Sequence, residues 1–362
     1  DTDRRRKFLT ALYRNENAKD TICLISHFDT VAIEEYGDFE ALATHPEQLT
    51  NVWMENQAIL PDDVLEDLKT GEYLFGRGTM DMKMGLAIHM RIIEKASVEN
   101  WPINILLLTV PDEEVNSSGM RSAVPMLIDW KEKFNLQYKL ILNGEPVFSL
   151  NSQNSDFYIY SGSIGKILGA ALFYGKEAHA GEPLKALTSP FMSSYLTREM
   201  EWNDSFSETV HGETTPLPLT LQQTDLSLEY STQTPYRSLA LYNIFVMKRD
   251  AREVFDIFEK VANVAAERCN QDYEAICKKH NVKPIGKVKV ISYKELLDYA
   301  TNKLGEDEIN KIKEDVHYHE EWDDREKSLR ITDKLMIHCQ ELAPAIIILF
   351  APPYYPAVNS SD

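Results

Sequence analysis

No apolar run in this 362-residue sequence approaches the roughly 20 residues that a membrane-spanning helix needs, and the longest, around Ala345 to Phe350, is strand-sized. Cysteine is scarce. The four present, Cys23, Cys269, Cys277 and Cys339, form no C-x-x-C pair, which is the pattern of reduced structural thiols and leads us to expect a cytoplasmic protein. Positive charge is also short. With 38 basic against 57 acidic side chains the net charge is −19, which argues against sequence-independent binding to nucleic acid or to anionic membranes. The basic cluster Arg4, Arg5, Arg6 and Lys7 has no apolar segment or small-residue cleavage site behind it, so we expect no export signal. Internal repeats and low-complexity tracts are missing too.

The length favours two domains over one. Residues 1–17 place Phe8, Leu9, Leu12 and Tyr13 at helical spacing and are expected to be helical. Three continuous apolar runs, Thr21 to Ile25, Asn104 to Val110 and Tyr138 to Leu142, read as buried strands. Between them lie helical patterns over Met82 to Ala96 and Met120 to Phe134. Alternation of this kind implies an α/β sheet with functional groups at the carboxyl ends of its strands. The polar stretch Phe39 to Gly71 reads as a long loop with one short helix near Asp62 to Leu68.

After Ser161-Gly162-Ser163 the order is strand, helix, two strands, helix and strand. This β-α-β-β-α-β pattern describes a small ferredoxin-like α+β sheet with both helices on one face. We therefore expect a catalytic domain over residues 1–163, an inserted domain over 164–298, and a return to the catalytic domain over 299–362, with Ala345 to Phe350 rejoining the first sheet.

Each strand of the first part runs directly into acidic or imidazole groups. The first ends in Ser26-His27-Phe28-Asp29, the second in Asp112-Glu113-Glu114, the third in Gly144-Glu145-Pro146, and Asp81 sits in the turn Gly76-Arg77-Gly78-Thr79-Met80-Asp81 before a helix. Each has an ordinary reading. Asp81 alone reads as a helix cap, His27 and Asp29 as a strand end, the acidic triplet as a solvated loop, and Glu145 as a turn acid before proline. Together they describe a metal centre. An i, i+2 spacing lets Asp29 hold one imidazole nitrogen while the other binds metal. Glu113 and Glu114 point to opposite sides, so one can ligate while the other takes a proton from the attacking water.

In this order the motifs His-x-Asp-x-Val, Gly-Arg-Gly-x-x-Asp-x-Lys, Asp-Glu-Glu and Gly-Glu-Pro resemble those of the di-zinc amidohydrolases of metallopeptidase family 20, which include carboxypeptidase G, acetylornithine deacetylase, succinyl-diaminopimelate desuccinylase and aminoacylase. The resemblance covers most of residues 20–200 and extends to Ala178-His179-Ala180-Gly181-Glu182-Pro183. The stretch from Phe350 to Pro356 and the large insert are similar to the arginine-utilisation (RocB-type) branch. The resemblance implies a mixed-sheet catalytic domain with an inserted lid, two Zn2+ ions with Co2+ or Mn2+ as substitutes, and hydrolysis of an amide bond in a small N-acyl amino acid or short peptide, within arginine or amino-acid catabolism.

It further implies that His27 and Glu145 hold one ion, Glu114 the other, and Asp81 both. Glu113 would be the general base, Asp29 the support of His27, and His179 a hydrogen-bond donor to the oxyanion. A homodimer through the inserted domain is implied as well. The family's last histidine ligand has no counterpart here, since no histidine follows His338. That residue fits a packed helix position, and His317 and His319 fit solvated ones. The chain is accordingly read as incomplete at its C-terminal end. Arg237 and Arg249 are candidates for holding a substrate carboxylate, with plain surface charge as the alternative. The rival to a hydrolase is a non-catalytic relative that keeps the fold as a binding or regulatory protein.

Overall fold

The computed structural model describes residues 6–57, 60–147, 158–226 and 232–360. The fold is mixed α/β, in two compact units covering residues 1–159 and 160–362.

The first unit contains β1 (Leu9–Tyr13), β2 (Asp20–His27), α1 (Pro46–Glu55), α2 (Asp62–Thr70), α3 (Gly85–Glu99), β3 (Asn104–Val110), α4 (Ser118–Lys133) and β4 (Gln137–Asn143). Its sheet runs β1-β3-β2-β4, with β2 parallel to both β3 and β4 and β1 antiparallel to β3. β3 is buried at every position. Its Ile105 and Leu107 pack with Leu86 and Ile93 of α3, and its Leu108 and Val110 with Ala123 and Met126 of α4, so helices cover both faces and the strand's apolar run has no reason to alternate.

Three expectations are corrected in this unit. Residues 9–13 form a strand, not a helix, because Leu9 to Tyr13 pair with Thr109 to Ile105 and so satisfy the backbone groups along that edge of β3. The loop expected over 39–71 holds α1 as well as α2; Pro46 opens α1, where its missing N–H costs nothing, and Leu49 is its buried anchor. β4 is not a buried strand. It lies at the end of the sheet, with Leu140, Ile141 and Leu142 exposed by 46%, 60% and 40%.

The second unit contains β5 (Gly162–Ser163), β6 (Gly165–Tyr174), α5 (Ser189–Met200), β7 (Thr209–Val210), β8 (Glu213–Thr214), β9 (Leu219–Asp225), β10 (Arg237–Val246), α6 (Ala251–Lys279), β11 (Lys289–Ser292), α7 (Tyr293–Leu304), α8 (Glu306–His317), α9 (Asp324–His338), β12 (Ala345–Tyr355) and β13 (Val358–Asn359). The main sheet runs β11-β12-β6-β10-β9. β12 therefore does not rejoin the first sheet. It inserts between β11 and β6, parallel to the former and antiparallel to the latter.

The reason lies in its alternation. Ile346 and Ile348 enter the core that β6 and β10 share with α5 and α6, while Ala345, Ile347 and Leu349 enter a second core with α7, α8 and α9. Only a central strand buries both sets. The expected β-α-β-β-α-β series is present with α5 and α6 on one face, but the opposite face carries three further helices, so the unit has three layers. Asp250 and Ser292 start α6 and α7 with reciprocal capping boxes to Glu253 and Glu295. All four cysteines are buried free thiols, and no helix among the described residues is long and apolar enough to cross a membrane.

Glu208 is an acid that sequence reading passed over. Its buried carboxylate accepts backbone N–H bonds from Met247, Lys248 and Arg249 at 2.9 to 3.0 Å, closing the turn between β10 and α6. Burial raises its pKa, but those three bonds and the Arg249 charge outweigh it and leave the carboxyl below its usual range. Since the folded value is depressed, this stabilisation is present above the ordinary value of 4.5 and lost as pH falls through the folded one. Glu208→Ala is expected to lower unfolding free energy by about 2–3 kcal/mol at pH 7. In urea titrations the gap to the parent should shrink on acidification below the ordinary value of 4.5; a gap independent of pH would contradict the assignment.

Candidate metal centre

Parallel pairing brings the strand ends together. His27 of β2 stands opposite Val110 of β3, and Ile25 opposite Asn143 of β4. Phe28 N–H donates to Val110 C=O and Gly144 N–H to Ile25 C=O, so the chain leaves all three strands in register. Two to four residues further on come Asp29, Glu113 with Glu114, and Glu145, at one edge of the sheet.

Asp81 arrives from the wide turn Thr79–Met84. It is not a helix cap: α3 begins at Gly85 with no side-chain cap, and Asp81 holds non-helical torsions of −110° and 102°. Its turn needs Gly78, which has φ of 78° and where a Cβ would meet Thr30 at 2.6 Å. Gly85 allows the start of α3 to press on the following turn, since a Cβ there would lie 2.0 Å from the Gly144 carbonyl oxygen. His89, one helical turn later, is buried against Gly144 and made less basic by that burial. The sequence offers no signal for His89 beyond its spacing from Gly85.

At the centre, His27 is 1% exposed. Its Nε2 lies 3.0 Å from Asp81 Oδ1, 3.3 Å from Glu145 Oε1 and 3.9 Å from Glu113 Oε2. Its Nδ1 faces the Asp29 backbone carbonyl at 3.1 Å, with the Asp29 carboxylate at 3.5 Å. That carbonyl can only accept, so it keeps a proton on Nδ1 and leaves Nε2 facing the carboxylates, to which it donates when the ring is protonated and beside which it can bind a metal ion when it is not. Burial alone would depress the imidazole pKa, but the hydrogen bond and charge of Glu145, with Glu113 and Asp29, push it up to about 9.

The Asp29 carboxylate has a further task that spacing did not reveal. It accepts the N–H groups of Glu113 and Glu114 at 3.2 and 3.3 Å, fixing the loop on which both acids stand. Asp112 belongs to that framework, not to the centre. It is buried and takes hydrogen bonds from Arg6 and Ser118. Within the triplet, Asp112 is thus the acid whose charge is met by an arginine.

Glu113 and Glu114 are both raised above the usual carboxylate range, by desolvation first. For Glu113 the charges of Glu145, Glu114 and Asp29 add to this against His27, and for Glu114 the largest neighbouring charge is that of Asp81. Asp81 and Glu114 line one cavity of about 250 Å³ with Val31, Gly78 and Arg77. Asp81 thus neighbours His27 and Glu145 and also shares a cavity with Glu114. Among the described residues, no lysine or arginine pairs with Asp81, Glu113, Glu114 or Glu145. One atom each of His27, Asp81 and Glu145 lie within 4.8 Å of one another. This donor set fits a divalent cation, whose charge the surrounding carboxylates call for.

The other sequence candidates lie in the second unit. His179 is exposed and its Nδ1 accepts the Gly181 N–H at 3.0 Å, which puts the neutral ring's proton on Nε2. His338 ends α9 but is exposed, not packed, while Leu335, Met336 and Cys339 of the same pattern are buried. His317 is exposed, and half-buried His319 stacks on Trp322 at 4.0 Å. Arg237 is committed to Asp333, whose other oxygen accepts from Tyr174, and Arg249 donates to the Ser205 carbonyl.

The Peptidase family M20/M25/M40 profile matches residues 23–153. The uncharacterized protein YqjN of Bacillus subtilis is 40% identical over 369 residues, covering 99% of this chain and 66% of YqjN. Protein RocB of Bacillus subtilis is 28% identical over 365 residues, covering 98% of this chain and 64% of RocB. The chain thus spans about two thirds of the length of these relatives. Among solved structures, the M20 family metallo-carboxypeptidase Sso-CP2 from Sulfolobus solfataricus aligns with a TM-score of 0.46 at 16% identity, over 71% of this chain and 64% of that one.

Proposed function

This chain carries a Peptidase family M20/M25/M40 domain, and from that premise we propose that it is the metal-dependent part of a hydrolase that cleaves the amide bond of a small N-acyl amino acid or short peptide, in the arginine or amino-acid catabolism implied by its resemblance to the RocB branch. The observation that supports this most is the convergence of His27 Nε2, Asp81 and Glu145 at the carboxyl ends of parallel strands, with Glu114 lining a cavity with Asp81.

In this reading His27 and Glu145 would hold one Zn2+, Glu114 the other, and Asp81 would serve both. Bound there, the ions would supply Lewis acidity toward the scissile carbonyl and the attacking water. Glu113 accepts the water's proton and returns it to the leaving nitrogen, a task suited to a carboxylate whose pKa is raised and which stands further from His27 than Asp81 or Glu145 does. Asp29 keeps Glu113 and Glu114 in place through their backbone N–H groups. To His179 we assign the oxyanion-donor role, which its Nε2–H tautomer suits.

Metal removal tests the reading. The protein carrying this chain, dialysed against a chelator and refilled with Zn2+, Co2+ or Mn2+, is expected to lose and regain hydrolysis of N-acyl amino acids in step with elemental metal content. Hydrolysis that persists in the metal-free protein overturns the proposal. Two bound ions without turnover on any N-acyl or dipeptide substrate would point to the non-catalytic relative instead.

A further inference from the structure

Residues 179–183 are all exposed, so burial does not hold the turn that carries His179. Such a turn keeps one geometry only through its hydrogen bonds. They come from the segment ahead of β10. Ala178 N–H donates to the Thr234 hydroxyl at 2.9 Å and Thr234 N–H to the Ala178 carbonyl at 2.8 Å, while Ala180 N–H donates to the Thr232 carbonyl at 2.8 Å. Between them His179 and Gln233 pair antiparallel. β6 and β10 thus continue past their ends as a ribbon that carries His179 near its tip, all within the second unit.

The ribbon is not a plain extension of the sheet. From the Tyr174–Arg237 pair to the His179–Gln233 pair one strand advances five residues and the other four. The irregularity sits where Lys176 and Glu177 face Pro235. Gly175 N–H still reaches the Tyr236 carbonyl at 2.8 Å, but Pro235 has no N–H to offer, and Lys176 exchanges two backbone bonds with Leu187 instead, at 2.8 and 3.2 Å. An extra residue on one strand turns the side chains after it to the face opposite the one an unbroken ladder would give. It therefore sets the face on which His179 stands, and the Gly181 N–H on Nδ1 then fixes the ring.

At its base the ribbon is tied to α9. Asp333 accepts from the Tyr174 hydroxyl through one oxygen and from the Arg237 guanidinium through the other, both at 2.8 Å, so one carboxylate holds both members of the pair at which the ribbon begins. Tyr174 is buried and the Asp333 side chain is 16% exposed, so water competes little for these bonds.

We propose that Thr234 and Asp333 are positioning residues for His179, Thr234 holding the backbone beside it and Asp333 the base of the ribbon that carries it. The proposal rests on the oxyanion-donor reading of His179 above. It gives α9, which lies outside the β-α-β-β-α-β series, a part in the reaction.

Thr234→Val removes the hydroxyl at nearly constant shape, Thr234→Ser keeps it, and Asp333→Asn keeps the size while weakening the tie to Arg237. In the complete zinc-loaded protein, with N-acetyl-L-arginine as the probe, Thr234→Val and Asp333→Asn are expected to lower kcat about tenfold with KM within about twofold of the parent, and Thr234→Ser to retain the parental rate. On a His179→Ala background neither change should lower kcat further. Hydrogen exchange reads the same geometry without turnover. Amides of residues 178–182 should exchange about fivefold faster in Thr234→Val and in Asp333→Asn, with those of α6 unchanged. Tyr174→Phe cuts the Asp333 tie from its other end and should show the same pattern, which keeps the test open if Asp333→Asn folds poorly. Equal losses of kcat on the parental and His179→Ala backgrounds, or exchange at 178–182 that the variants leave unchanged, overturns the proposal. Absent turnover, or a His179→Ala protein at the parental rate, would count against the reading above, and exchange at 178–182 then decides the ribbon assignment by itself.

Discussion

Asp81→Ala is expected to empty both metal positions at once. On the proposed assignment this carboxylate is the one group shared by the His27–Glu145 side and the Glu114 side, and its Oδ1 lies 3.0 Å from His27 Nε2. Removing it takes a ligand from each ion and the negative charge that offsets their mutual repulsion. Apparent affinity should fall by more than about a hundredfold, beyond what loss of an outer-shell partner produces. Equilibrium dialysis with elemental analysis reads the result directly. Loss of a single ion, with the other held at parental affinity, would show that Asp81 belongs to one side only.

Glu113→Gln should separate turnover from metal binding. The substitution keeps size and hydrogen-bonding capacity but removes the proton acceptor, so kcat is expected to fall by roughly two to four orders of magnitude. Metal content should stay at the parental level, because Glu113 stands 3.9 Å from His27 Nε2 whereas Glu145 and Asp81 stand at 3.3 and 3.0 Å. A variant that loses zinc would mean that Glu113 and Glu114 have exchanged roles. The two experiments together also separate a ligand defect from a proton-transfer defect, which a single activity loss cannot do.

Much of the first unit can be read from the chain because its signals are local. A continuous apolar run such as Asn104 to Val110 calls for cover on both faces, and strands of that kind in an α/β alternation must end at a common edge. The acids that follow those runs were therefore expected together before any distance was known. Aromatic residues in a polar stretch carried no comparable periodicity, so α1 was not foreseen. In the same way, Glu208 looks like any surface acid in sequence, since nothing local announces that three backbone N–H groups some forty residues later converge on it.

By itself the sequence determined which residue types stand at the ends of β2, β3 and β4, that the protein is mixed α/β, and that an acidic centre would form in the first unit. The tertiary structure decided what depends on pairing between distant segments. Residues 9–13 became a strand because β3 had an edge to fill, and β12 joined the second sheet because its two apolar faces found separate cores there. Asp112 was withdrawn from the acidic cluster by Arg6 and Ser118, and Asp29 was given two loop N–H groups to hold. Local pattern selects a residue's face and chemistry, but which partner meets that face is settled by the pairing that buries the most apolar surface and leaves the fewest polar groups unmet.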